Sequence, residues 1–86
     1  MREIIWQPKA KRQLKKIIGK GIRKDILDSV DTLIEFPHVA GVKPLKNHQY
    51  THRLKVGTYR VLFNGFEAVN IISIEEVKKR NERTYR

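Results

Sequence analysis

No cysteine occurs in the 86 residues, which excludes a disulfide framework, a thiolate nucleophile and every zinc site built on cysteine. Acidic side chains are scarce: nine Asp and Glu stand against nineteen Lys and Arg, a formal net charge of +10. Long apolar runs are missing too, so neither a membrane-spanning helix nor the apolar stretch of a signal peptide is expected. No paired carboxylates, no Ser/His/Asp arrangement and no glycine-rich phosphate loop can be assembled, which leaves hydrolysis by those routes without support. The absences fit a reducing compartment, and a cytoplasmic location is expected. What is present, at 40% hydrophobic and 33% charged, is apolar enough to fold and too short for two cores. One domain over residues 1–86 follows.

The positive charge is segregated. Residues 1–24 hold nine bases and only Glu3 as an acid, whereas 25–36 hold Asp25, Asp28, Asp31 and Glu35 with no base. From 37 to 65, Lys43, Lys46, Arg53, Lys55 and Arg60 stand without any carboxylate. An acid-free stretch of this length attracts anions; nucleic acid is the commonest polyanionic partner and an acidic protein the next. For the N-terminal cluster a solvated surface is the competing reading.

Glu3–Gln7 reads as a short strand. Pro8 then opens a helix, where its missing N–H costs nothing. Ala10, Leu14, Ile17 and Ile18 form its apolar stripe, and Gly19 and Gly21 end it. A second helix is expected from about Ile22 to Glu35, closed by Phe36 and Pro37 and antiparallel to the first. Residues 39–48 show no period and read as a loop. His52–Val56 alternates, Gly57 and Thr58 suit a tight turn, and Tyr59–Phe63 is rich in β-forming residues, so a hairpin is expected. Asn64 and Gly65 signal another turn, and Ala68–Ile74 is the most apolar strand, hence central. The tail from Glu75 to Arg86 reads as a short helix or an extended arm. The order β-α-α-β-β-β implies an α+β fold: an N-terminal strand, an antiparallel helical hairpin and a three-stranded antiparallel meander, with both helices on one sheet face.

Strand alternation puts Arg53 and Lys55 opposite Leu54 and Val56, and the tight turn returns Arg60 beside them. Three cations sharing a small area repel unless an anion sits among them, which marks a candidate phosphate site; a charged, aggregation-resistant sheet edge is the alternative. Arg60, between Tyr59 and Val61 in an apolar strand, is expected to be half-buried. His38, His48 and His52 match no metal-ligand spacing, so neither a metal nor another cofactor is expected. His48 and His52 are open to acid–base roles; a surface histidine is the competing reading for each, and the favoured one for His48. In the tail, Lys78, Lys79, Arg80, Arg83 and Arg86 interleave with Tyr85, a pattern that suits RNA through stacking and phosphate contacts; a frayed, solvated terminus is the competing account.

The run from His52 to Phe63 resembles the strand-turn-strand signature of the RelE/ParE toxin superfamily. Its members commonly read tyrosine, arginine, leucine, arginine, valine, glycine, aspartate, tyrosine, arginine, valine, leucine, tyrosine there. Pro44-Leu45-Lys46 before the hairpin, and Lys79-Arg80 followed by Thr84-Tyr85-Arg86, match as well. This chain departs from the pattern with His52 for tyrosine, Thr58 for aspartate and Phe63 for tyrosine. The resemblance implies a RelE-like fold and a type II toxin neutralised by a cognate antitoxin, which would bring it to operator DNA. Its RelE branch cleaves mRNA in the decoding site of the 30S ribosomal subunit without metal, using the ribose 2′-hydroxyl. Its ParE branch shares the fold and poisons DNA gyrase. By the RelE match, Arg53 and Lys55 would bind or polarise the scissile phosphate and Arg60 would stabilise its developing charge. Arg80 would add a second charge, Tyr85 would stack on a base or relay a proton, and His52 would lend a titratable group if it points at the cations. Lys43, Lys46, Lys78, Lys79 and Arg83 are the expected RNA-binding residues. No membrane role is implied.

Overall fold

Alternation in two central strands organises the molecule. In the strand Tyr59–Gly65, Val61 and Phe63 point to one face and are fully buried, while Arg60 and Leu62 point to the other. The computed structural model describes residues 2–66 and 68–80. The elements are β1 (Glu3–Trp6), α1 (Pro8–Lys15), α2 (Lys20–Asp31), a 3-10 turn (Thr32–Glu35), β2 (Val42–Pro44), β3 (His52–Val56), β4 (Tyr59–Gly65) and β5 (Ile71–Lys79). They form one five-stranded sheet in the order β1-β5-β4-β3-β2, with β1 parallel to β5 and the other pairs antiparallel. This is the expected α+β architecture with the β3-β4-β5 meander at its centre.

Both helices lie on one sheet face. Ala10, Ile26, Val30, Leu33 and Phe36 pack there against Leu54, Val61, Phe63, Ile72 and Ile74. Each of these side chains other than Ala10 contributes roughly 1.5–3 kcal/mol when taken out of water. α1 makes its main contacts with β5, and α2 with the 3-10 turn and β3, rather than the helices with each other. β5 runs past the end of β1, which stops at the Trp6–Ile74 pair, and α1 covers the edge that this leaves: the Val77 N–H donates to Gln13 Oε1 at 2.7 Å. Arg2 ties the N-terminus down by donating from Nε to the Phe36 carbonyl at 2.8 Å and from Nη1 to the Phe66 and Val69 carbonyls.

Several boundaries differ from the expectation. α1 ends at Lys15, so Ile17 is buried from the following turn while Ile18 is 92% exposed. Gly21 lies inside α2, and Gly19 alone serves as a break, with a φ of +114° that favours glycine. The loop over 39–48 contains the three-residue edge strand β2. Asn64 and Gly65 belong to β4 rather than to a turn. Asn64 Oδ1 accepts from the Thr51 N–H at 3.0 Å, and Gly65 leaves room for Phe36 and Ile72. A Cβ at Gly65 would stand 2.9 Å from Ile72 Cδ1 and 3.2 Å from the Phe36 ring. The strand predicted over 68–74 starts at Ile71 and continues to Lys79, so residues 75–79 of the tail are neither helix nor arm.

Crowding at Gly65 is directly testable. Gly65→Ala should destabilise the fold by about 1–3 kcal/mol through overpacking, read as a lower urea midpoint with an unchanged slope.

Candidate functional site

On the face away from the helices, register stacks basic side chains into two cross-strand rows. Lys55 is opposite Arg60, which is opposite Lys78. One step along, Lys43 is opposite Arg53, then Leu62, then Glu76. Arg60 therefore stands between two lysines on adjacent strands, an arrangement that costs up to about 1 kcal/mol per like-charged pair. Gly57 turns the β3-β4 hairpin with a φ of +57°, and the Arg80 N–H donates to the Thr58 carbonyl at 2.6 Å, bringing Arg80 to the same end. Arg53, Lys55, Arg60 and Arg80, with Gly57 and Tyr59, line a cavity of about 190 Å³.

Arg53, Lys55 and Arg60 form no salt bridge among the described residues. Arg60 is half-buried, and its Nε is buried without a hydrogen-bond partner. A buried, unsatisfied donor costs the fold about 1–3 kcal/mol. A cavity of this charge and size suits a phosphate group, which offers acceptors to a guanidinium fork and to an ammonium at once. A larger hollow of about 320 Å³ beside α2 and β3 includes Glu35, His38 and Lys55 and gathers no comparable charge.

The other candidates divide. Lys78 and Lys43 share the open face with the cavity. Lys46 is exposed in the loop after β2. Lys79 pairs with Tyr59 and so alternates to the other face. Arg83 and Tyr85 lie outside the described residues. His52 does not join the cations. It pairs with Phe63 on the helix face, its ring stacked on Phe63 at 5.5 Å and edge-on to Phe36 at 4.8 Å. Burial there lowers its pKa from the usual value of 6.5. His48 Nδ1 accepts from the Tyr50 N–H at 3.1 Å, a local loop contact. Among the described residues no three His, Asp or Glu gather into a metal-binding group.

Glu76 and Tyr50, which the sequence does not single out, meet beside Lys78. Glu76, only 4% exposed, accepts from the Tyr50 hydroxyl at 2.7 Å and faces Lys9 at 3.3 Å and Lys78 at 3.7 Å. Burial alone would raise its pKa, but the Tyr50 hydrogen bond and the two lysines hold it below the usual carboxylate value. The one available signal was an acid placed between the apolar stretch of β5 and Lys78.

With this geometry in hand, comparison with known proteins places the chain in a class. A family model described as "ParE toxin of type II toxin-antitoxin system, parDE" matches residues 4–84. The chain belongs to that family, and so to the RelE/ParE superfamily: it is a toxin of a type II toxin–antitoxin system. Solved structures agree on the fold. The Mycobacterium tuberculosis RelBE2 toxin–antitoxin complex matches with a TM-score of 0.76 at 21% identity, covering 92% of this chain and 98% of that one. The isolated Escherichia coli RelE toxin matches at 0.77 and 14% identity, covering 95% and 87%. The archaeal RelE–RelB complex from Pyrococcus horikoshii matches at 0.76 and 21%, covering 94% and 97%. No curated protein sequence matches this chain. No helix among the described residues is long and apolar enough to cross a membrane.

The position of His52 sets a pH dependence. With the folded pKa below the unfolded one, the unfolded chain takes up the proton first, so stability present above about pH 6.5 is lost as pH falls toward the folded value. Thermal melts between pH 7.5 and 5 should show this slope, and His52→Phe should flatten it.

Proposed function

We propose that this toxin is an endoribonuclease that cleaves mRNA in the decoding site of the ribosome without a metal ion, and so stops translation. The reading rests on one observation: Arg60, with a buried and unsatisfied Nε, stands between Lys55 and Lys78 and shares a cavity with Arg53 and Arg80. Such a centre costs the fold energy and is suited to a phosphodiester. In the proposed reaction the ribose 2′-hydroxyl loses its proton and bonds to the adjacent phosphorus. The bond to the 5′-oxygen breaks and that oxygen takes up a proton, leaving a 2′,3′-cyclic phosphate. Arg53 and Lys55 bind the phosphate, Arg60 stabilises the charge on the pentavalent phosphorane, and Arg80 adds a second cation. By the resemblance alone, Tyr85 would stack on a base or relay a proton. His52 faces the core and takes no part.

The ribosome supplies alignment of the strand, which lets a small protein suffice and makes cleavage of free RNA slow. A cation-rich site of this kind is readily silenced by an acidic antitoxin segment that folds on binding. Antitoxin complexes of the solved RelE proteins support such a partner, and operator DNA would be reached only through it. The toxin would act in the cytoplasm. The family model, described as a ParE toxin, favours a second reading in which the protein inhibits DNA gyrase without catalysis.

Inducing the protein in cells and mapping messenger 5′ ends separates the two. The nuclease produces new codon-phased ends, and Arg60→Ala reduces them by about 10²-fold or more. DNA damage without such ends establishes the gyrase reading. Because Arg60 leaves a donor unpaired, Arg60→Ala should melt within about 1 kcal/mol of the wild type; a collapsed variant would make Arg60 structural.

A further inference from the structure

We propose that Glu76 is a positioning residue that holds Lys78 beside Arg60, so that Lys78 becomes part of the phosphate-binding surface. The inference rests on the reading of the cavity as an RNA site and adds to it a buried anion.

The two carboxylate oxygens have different partners. Oε2 is fixed from two directions: it accepts from the Tyr50 hydroxyl at 2.7 Å and faces Lys9 Nζ of α1 at 3.3 Å. Oε1 faces Lys78 Nζ at 3.7 Å. The anchors come from α1 and from the loop before β3, and the other oxygen is offered to Lys78, which the register sets opposite Arg60 on β5. An exposed lysine on a flexible stem otherwise swings away from a guanidinium, since the two repel. Glu76 opposes that motion. A bulge between Leu62 and Phe63 shifts the β4-β5 register here, so that Leu62 faces Glu76 while Phe63 faces Ile74. The bulge turns Glu76 onto the open face, a re-aiming of the kind bulges produce beside functional sites.

The sign of the effect separates positioning from simple field. A carboxylate near a phosphate site repels the ligand, so if Glu76 acted only by its charge, its removal would tighten RNA binding. If it positions Lys78, removal weakens binding even though a negative charge is lost. The Tyr50 hydroxyl offers an internal report: its hydrogen bond to Glu76, and then burial, push its pKa up to about 12.

The test is the affinity of the full chain for a fluorescein-labelled single-stranded RNA oligonucleotide, measured by anisotropy across a range of salt. Glu76→Gln should bind roughly fivefold more weakly and lower the slope of log affinity against log salt by about 0.7, the value of one phosphate contact on a single strand. Lys78→Gln should do the same, and the double variant should be no weaker than Lys78→Gln alone. Tyr50→Phe, which removes only the hydroxyl that fixes Oε2, should shift affinity in the same direction and guards against a Glu76 variant that fails to fold. Alkaline absorbance titration should return Tyr50 to the ordinary tyrosine range in Glu76→Gln. Equal or tighter binding by Glu76→Gln, or losses that multiply in the double variant, would overturn the assignment. A wild type that binds RNA without cleaving it on ribosomes refutes the nuclease and, with the Glu76→Gln loss intact, upholds this role. Wild-type binding too weak to measure overturns this role, because Lys78 and Arg60 then hold no phosphate on their own, and leaves the mapping of messenger ends to decide the nuclease.

Discussion

Everything in this molecule depends on the two-residue period of β4. One face of that strand must be dry, because Val61 and Phe63 close the core beneath α2 and Phe36, and the pleat then forces Arg60 onto the opposite face. Its neighbours are bound by the same rule. A slip of one residue in β3 would send Arg53 and Lys55 into the core and Leu54 into water, an exchange the buried face does not tolerate. The hydrophobic requirement of one face thus fixes cations on the other to within the spacing of a sheet.

Magnitudes explain why such a cluster survives in so small a protein. Each like-charged cross-strand pair costs up to about 1 kcal/mol, and the unsatisfied Arg60 Nε adds about 1–3 kcal/mol. Each fully buried aliphatic or aromatic side chain contributes roughly 1.5–3 kcal/mol, and eight large ones are almost wholly buried. The core offsets the repulsion, and the buried Glu76 reduces it. Placing the cations on strands also keeps them rigid. Charges that need not reorganise during a reaction stabilise a developing phosphorane best.

The sequence displayed the sheet well and its accessories poorly. Arg53, Lys55 and Arg60 could be brought to one face because alternation and a two-residue turn are local properties. Gly65 misled because glycine serves two ends: it permits a turn, and it permits close approach, and only the tertiary position of Phe36 tells which one operates. His52 was ambiguous for a related reason. Its face depends on the register of β3, and a titratable group next to a cation cluster in sequence reads equally as a partner of the cations; the stacking on Phe63 assigns it to the core face. Ile18 continued the apolar stripe of α1, but the helix ends three residues earlier, so periodicity ran on past the structure that produced it. Glu76 and Tyr50 were invisible because they lie 26 residues apart and meet only once the loop before β3 crosses the open face.

A fold shared by messenger-cleaving and gyrase-poisoning toxins does not choose between them; the site must. Inhibition of an enzyme by binding needs complementary surface, and cations on such a surface gain by finding protein carboxylates or water when the partner is absent. Here the central cation is half-buried with its Nε in neither, flanked by lysines that raise its cost. That disposition is wasteful for adhesion and suits the proposed reaction, in which the charge of the ligand rises and a guanidinium held in this cavity would stabilise the transition state more than the ground state. In the proposed reaction the ribosome holds the strand, which frees this chain from carrying an extended RNA groove. What the toxin must contribute itself is a rigid positive centre, and the register of β3, β4 and β5 supplies one.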